Sequence, residues 1–177
     1  FTFQVPFAML SVPANASPPG IRIRAEQPQD QAAIHALLAQ CFPTAAEAGL
    51  VDALRRTEES FISLVALAAE NRIVGHVCFT PVQTSAAHRG MGLAPLAVDE
   101  SFRRRGVGAA LVTSGLARCR QEGFGWAVVL GNPAHYRRFG FRAASEFGLV
   151  DTYGGGNAFQ ALELLPAALP RGAGVVH

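Results

Sequence analysis

The 177-residue chain has no lysine, so all 15 residues in its lysine-plus-arginine count are arginine. Each of those cations is a planar, permanently charged fork rather than a mobile ammonium. Cysteine is scarce too: three residues, Cys41, Cys78 and Cys119, each in an apolar run and none in a C-x-x-C pair. An odd, widely spaced set excludes a disulfide framework and a zinc site, and fits buried filler in a reducing cytoplasm. Charged residues make up only 16% against 50% hydrophobic, which excludes a disordered chain. The net charge of +2 is too small for a general nucleic-acid binder, whose affinity rests on many phosphate contacts. No apolar run reaches the roughly 18 residues that a membrane span needs. The opening FTFQVPFAML is short and lacks a basic flank, so it does not read as a secretory signal.

What is present reads as one α/β domain. PANASPPG, residues 13–20, separates an N-terminal arm from a domain over 21–177. The arm's apolar residues are free to pack on the domain or on a neighbouring copy in a homodimer. Asn15-Ala16-Ser17 matches a glycosylation sequon and is read as chance in a chain of this kind. IRIRA, from Ile21, alternates as a strand. A helix follows from Pro28 with Ile34, Leu37, Leu38 and Cys41 on one face, and Thr44 to Glu47 forms a capping box for a second. FISLVALAAENRIVGHVCFTPV gives two strands around a turn at 70–72, and GLAPLAVDE a fourth. Val107, Leu111, Val112, Leu116 and Cys119 mark a helix buried against a sheet, and the apolar GWAVVLGN a central fifth strand. A short helix, PAHYRRFG, precedes strands in FRAASEFGLV and AFQALELL.

Between the fourth strand and the buried helix stands ESFRRRGVGAAL. A helix N-terminus offers unpaired N–H groups and the positive end of the macrodipole, which together bind anions. Gly106 and Gly108 remove side chains that would hold a phosphate off that backbone, while Arg103, Arg104 and Arg105 add charge-assisted forks. The bland alternative is close helix–sheet packing beside solvated arginines. Neither the G-x-G-x-x-G fingerprint nor the Gly-Lys-Ser/Thr of a Walker A loop is present.

Arg103-Arg104-Arg105-Gly106-Val107-Gly108 does match the [RQ]-x-x-G-x-[GA] loop of the GNAT superfamily of acyl-CoA-dependent N-acyltransferases. LAPLAVDESF and NPAHYRRFGF resemble the same family's fourth strand and fifth-strand exit, in the right order from Ile21 to about Leu165. The resemblance implies a mixed, mostly antiparallel central sheet flanked by helices and splayed between strands 4 and 5. It implies acetyl-CoA as cosubstrate, its pyrophosphate on the N–H groups from Arg104 through Val107 to Gly108. Its pantetheine would pair with Leu96, Ala97 and Val98, and Asn132 either holds the pantetheine amides or caps the helix before Pro133. Pro95 lacks a donor and fits an interrupted ladder. Tyr136, four residues before Gly140, takes the place of the family's general acid, and a backbone N–H near Val98 serves the oxyanion.

The implied reaction is direct attack of an amine on the thioester in a ternary complex. The amine is a small molecule rather than a protein N-terminus or lysine, since no extended acidic or basic groove is legible. No metal, nucleic acid or membrane is called for. Glu47, Asp52, His76, His88, Asp99 and Glu100 are base candidates by type, with no ground for choosing among them. His76 reads equally as a satisfied core histidine, and His88 as a loop residue close to the substrate side. His135 stands where many relatives carry an aromatic, and reads either as substrate-facing or, by preference, as a swap on an exposed helix face. The DTYGGGNAF connection either lines the acceptor pocket or is a plain hairpin loop. The rival class is a non-catalytic acyl-CoA sensor that keeps the cradle without the chemistry.

Overall fold

The computed structural model describes residues 17–57, 60–169, 172 and 174–177, so most of the expected arm, with Asn15, lies outside the described residues. Alternation and helical periodicity become elements in the expected order. They are β1 (Arg22–Ala25), α1 (Gln31–Cys41), α2 (Ala46–Thr57), β2 (Ile62–Leu67), β3 (Ile73–Gln83) and β4 (Arg89–Val98). Then come α3 (Val107–Gln121), β5 (Trp126–Leu130), α4 (Pro133–Tyr136), β6 (Arg142–Ala143), β7 (Leu149–Asp151), β8 (Phe159–Glu163) and β9 (Gly174–Val176). A single 3₁₀ turn, Pro28–Asp30, leads into α1 and is closed by a reciprocal cap between Gln27 and Asp30. At α2 the capping box is looser than a full one: Thr44 Oγ1 accepts from the Ala46 N–H at 3.3 Å and meets the Glu47 carboxylate at 3.5 Å.

Seven strands form one sheet in the order β1-β2-β3-β4-β5-β8-β6. Every neighbouring pair is antiparallel except β4 and β5. A separate parallel pair, β7 with β9, was not expected from the sequence. Three-residue strands in a glycine-rich tail are too short to show a period.

The sheet has a layer of helix on each face. On one, Val107, Leu111, Val112 and Leu116 of α3 pack on Val77, Phe79 and Leu93. Here α3 lies so close that a Cβ at Gly115 would stand 2.1 Å from the Phe79 ring, and glycine permits the approach. On the other face Ile34, Leu37, Leu38 and Val51 of α1 and α2 cover Val65, Leu67 and Cys78. Cys78 and Cys119 are buried, and burial pushes both thiols up to about 12, which makes them inert filler.

The break in the sheet has a local cause. β4 pairs with β5 at Met91–Ala127, Gly92–Val128 and Leu93–Val129, and there the ladder stops although β4 runs on to Val98. On its other side Val77 faces Leu96 and Phe79 faces Leu93, so two steps of β3 span three of β4. The extra residue is a bulge at Ala94–Pro95, where proline supplies no N–H. The Cys78 thiol donates to the Ala94 carbonyl at 2.7 Å and ties the bulge to β3. Beyond it the two parallel strands part.

Candidate functional site

The chain leaves β4 through a turn locked by Asp99. That buried carboxylate accepts from the Ser101 N–H at 2.9 Å and hydroxyl at 2.6 Å, and from Arg72 Nη2 at 2.6 Å. The Ser101 bonds, reinforced by Arg72, hold it below the usual carboxylate range. Arg104, at φ 59°, and Gly106, at φ 83°, then turn the backbone into α3. Gly106 is the N-cap and makes no side-chain cap. The helix ladder opens with the Ala110 N–H donating to the Gly106 carbonyl at 3.0 Å. The N–H groups of Gly106, Val107, Gly108 and Ala109 therefore precede any intrahelical acceptor. Gly106 is exposed and Gly108 half-buried, so the donors open outward, while the Val107 side chain sits in the core.

Gly108 shows what this opening is shaped for. A Cβ there would lie 3.5 Å from Val98 Cγ2 and 3.9 Å from Leu96 Cδ2, ordinary contact distances, and its φ is not in the left-handed range. Nothing in the protein itself demands glycine. The space a methyl would take is the passage between the first turn of α3 and the free part of β4, a cradle that a side chain would fill.

That passage is one end of a groove of about 430 Å³. It is lined by Leu96, Ala97 and Val98 of β4, by Arg103, Arg104, Gly106 and Gly108 of the turn into α3, by Cys41 and Phe42 at the end of α1, and by His135 in α4 and Arg138 just after it. No carboxylate is among its lining residues. The Val98 carbonyl accepts from Arg103 Nε at 3.0 Å and from the Cys41 thiol at 3.5 Å, so it faces the opening rather than β3.

The three arginines separate. Arg103 and Arg104 line the groove, whereas Arg105 lies with its guanidinium 5.5 Å from the centre of the Phe102 ring and does not. Asn132 also stands outside the lining. Its Oδ1 accepts from the Ala134 N–H at 2.9 Å, so of its two expected roles the structure shows the helix cap. Of the two readings of His135, the preferred exposed-face swap is the one the structure corrects: the residue is half-buried and lines the groove, with Arg138 Nη2 2.9 Å from its Nδ1. Burial, and then the Arg138 charge, lower its pKa. Tyr136 is buried behind it, edge-on to His135 at 4.8 Å and to Phe141 at 5.8 Å. Its ring covers Gly131 at the exit of β5, where a Cβ would come within 2.5 Å of it. Burial raises the phenol pKa, so the hydroxyl keeps its proton at neutral pH.

None of the base candidates lines the groove. Asp52 is paired with His35 and Arg55, both at 2.7 Å, and Asp99 with Arg72, so both carboxylates are stabilised in the ionised form. His88 sits in the β3–β4 hairpin, at the start of β4, about ten residues or roughly 30 Å of strand from Val98. It is at the opposite end of β4 from the cradle. His76 is fully buried. The Ser63 hydroxyl donates to Glu26, so it accepts from His76 Nε2 at 2.9 Å, and His76 Nδ1 has no partner among the described residues. Burial, with the Arg55 charge, pushes this imidazole down to about 3. Glu47 is half-buried beside Thr44, and Glu100 is exposed on the turn after β4. The residues that sequence reasoning missed are Phe42, Phe102 and Arg138; of these only the Arg137-Arg138 pair carried a signal, as charge on a short helix.

Among the described residues no group of three or more acidic, histidine or cysteine side chains is placed to hold a metal, and no helix is long and apolar enough to cross a membrane.

Comparison with known proteins agrees with this geometry. The chain is 40% identical over 157 residues to the Escherichia coli N-acetyltransferase YhbS, a match spanning 88% of this chain and 94% of that one. The crystal structure of E. coli YhbS in complex with CoA superposes with a TM-score of 0.83 at 38% identity, over 92% and 91% of the two chains. A GNAT acetyltransferase from Brucella melitensis, solved with acetyl-CoA, gives 0.71 at 33%, over 86% and 92%. The Acetyltransferase (GNAT) family model matches residues 31–141, from the start of α1 to just past α4. That span takes in the parted strands, the arginine-glycine turn and Tyr136, and the chain belongs to the GNAT acetyltransferase family.

Proposed function

We propose that the protein moves an acetyl group from acetyl-CoA to a primary amine of a small molecule, by direct attack with both substrates bound. One observation carries the reading: the N–H groups of Gly106–Ala109, which precede the α3 ladder and have no backbone acceptor among the described residues, open beside a strand whose ladder to β5 has ended. Those donors, with Arg103 and Arg104, suit the diphosphate, and the free edge of Leu96–Val98 suits the pantetheine amides. Arg103 now holds the Val98 carbonyl, and would give up that bond for a phosphate oxygen. The two relatives solved with CoA and acetyl-CoA support the same choice of coenzyme. When bound, the coenzyme supplies a thioester open to attack by a neutral amine.

Tyr136 is the residue we assign to protonating the departing thiolate. Its phenol is held protonated by burial, and its ring packs over Gly131 at the exit of β5, behind His135 and outside the residues that line the groove. An alkylamine with pKa near ~10 is almost wholly protonated at pH 7; the groove lining holds no carboxylate to take its proton, and its one imidazole, His135, has Nδ1 engaged by Arg138. The small neutral fraction is then the reactive species, so turnover rises with pH. A lining without carboxylates gives a cationic protein segment nothing to grip, which favours a small acceptor. Asn132 acts through α4, whose direction it sets.

The test is thiol release from acetyl-CoA across an amine panel, with the acetylated product identified by mass. Tyr136→Phe keeps the packed ring, and should cut kcat by about 10² or more while CoA affinity stays within about twofold. Unchanged turnover in that variant removes Tyr136 from the acid role. Acetyl-CoA binding without thiol release for any amine turns the assignment to an acyl-CoA sensor.

A further inference from the structure

The groove is lined by cations from two separate parts of the chain, and the diphosphate accounts for one of them. At the start of α3 stand the helix N–H groups with Arg103 and Arg104; just after α4, 34 residues on from Arg104, stands Arg138. Among the described residues none of these three arginines has a carboxylate partner, although Arg24, Arg55, Arg72, Arg118 and Arg142 each do. Arg138 is also held in place. Its Nη2 lies 2.9 Å from His135 Nδ1, and its guanidinium stacks 5.0 Å from the centre of the Phe139 ring. An uncharged imidazole accepts that bond without neutralising the guanidinium, which leaves Arg138 fixed and unpaired at the mouth of the groove.

We propose that Arg138, oriented by His135, is a second anion subsite of the groove and takes the phosphate on the ribose of the coenzyme. The inference rests on the coenzyme reading above. CoA carries its diphosphate and, separately, a phosphomonoester on the ribose 3′ oxygen. With the diphosphate on the start of α3, the monoester is the remaining anion of the molecule, and a dianionic phosphomonoester suits a guanidinium fork. An acceptor carboxylate would also satisfy a lone arginine, and the test separates the two. The subsite makes the protein discriminate CoA from dephospho-CoA, which lacks only that phosphate.

Calorimetry of the full chain with CoA and with dephospho-CoA, for the wild type and Arg138→Gln, decides it. The wild type should bind CoA about tenfold more tightly than dephospho-CoA. Arg138→Gln should weaken CoA by about that factor, leave dephospho-CoA within about twofold, and so abolish the discrimination. His135→Ala should lose part of it. Arg138 is exposed, and an unchanged melting temperature shows that the variant is folded. Equal wild-type affinity for the two nucleotides, or equal weakening of both by Arg138→Gln, overturns the proposal while the coenzyme reading stands. Binding of neither nucleotide to the wild type overturns the coenzyme reading and this inference with it.

Discussion

Replacing Gly108 by alanine sets stability and binding against each other. In the second position of α3 an alanine gains helix propensity over glycine, about 0.5–1 kcal/mol. The new methyl meets Val98 Cγ2 at 3.5 Å and Leu96 Cδ2 at 3.9 Å, so no clash offsets the gain. For a chain of this size that is a rise in Tm of about 1–4 °C. The same methyl stands in the passage that coenzyme must cross between the first turn and β4. Forcing a group into a filled space costs about 1–3 kcal/mol, a loss of roughly 5- to 150-fold in Kd for CoA. The assay pairs a thermal melt without ligand with calorimetry of CoA binding. A protein that is stabilised and binds CoA as before would refute the cradle; one that is destabilised would refute the packing. Gly106→Ala is the control, since its φ of 83° makes any side chain costly, and it should lower Tm by the equivalent of about 1–2 kcal/mol.

Three further outcomes follow from the structure. His76 is neutral when folded, with its pKa lowered to about 3, but takes a proton near pH 6.5 when unfolded. The unfolded chain thus binds the extra proton between those values, and stability falls as pH drops through the window, by about 1.4 kcal/mol per unit from this group. His76→Gln should lose that part of the slope in urea melts at pH 5 and 6.5, and an identical slope would place the histidine's proton elsewhere. Gly115→Ala should destabilise by about 1–3 kcal/mol, read as a lower urea midpoint, because its Cβ would stand 2.1 Å from the Phe79 ring. Arg105→Gln should leave CoA affinity within about twofold, whereas Arg104→Gln should weaken it about fivefold or more; the reverse ranking would contradict the split between the two.

Element order was legible because period and punctuation carried it: Ile34, Leu37 and Leu38 are buried as their spacing requires, and so is Trp126–Val129. The parting of β4 and β5 was expected from family resemblance, with Pro95 as its one local sign; its cause, a bulge opposite Val77 and Phe79, is a matter of register across strands. Three consecutive arginines look alike in sequence. Which of them leaves the groove is decided by Phe102, whose ring holds Arg105. The base could not be chosen because carboxylates of the right type are consumed by partners distant in the chain, as Asp99 is by Arg72, 27 residues away. Arg138 escaped notice, and His135 was preferred as an exposed swap, because the capped start of α4, not periodicity in a four-residue helix, sets them beside the groove.

If the first amides of α3 grip the coenzyme's diphosphate, they are the groups that respond first when it binds. Amide NMR of the ¹⁵N-labelled chain titrated with CoA reads those donors one at a time. The N–H resonances of Gly106 to Ala109 should move most, and move together with saturation of binding. Saturating CoA that leaves those four resonances in place, while shifting others, would contradict that grip.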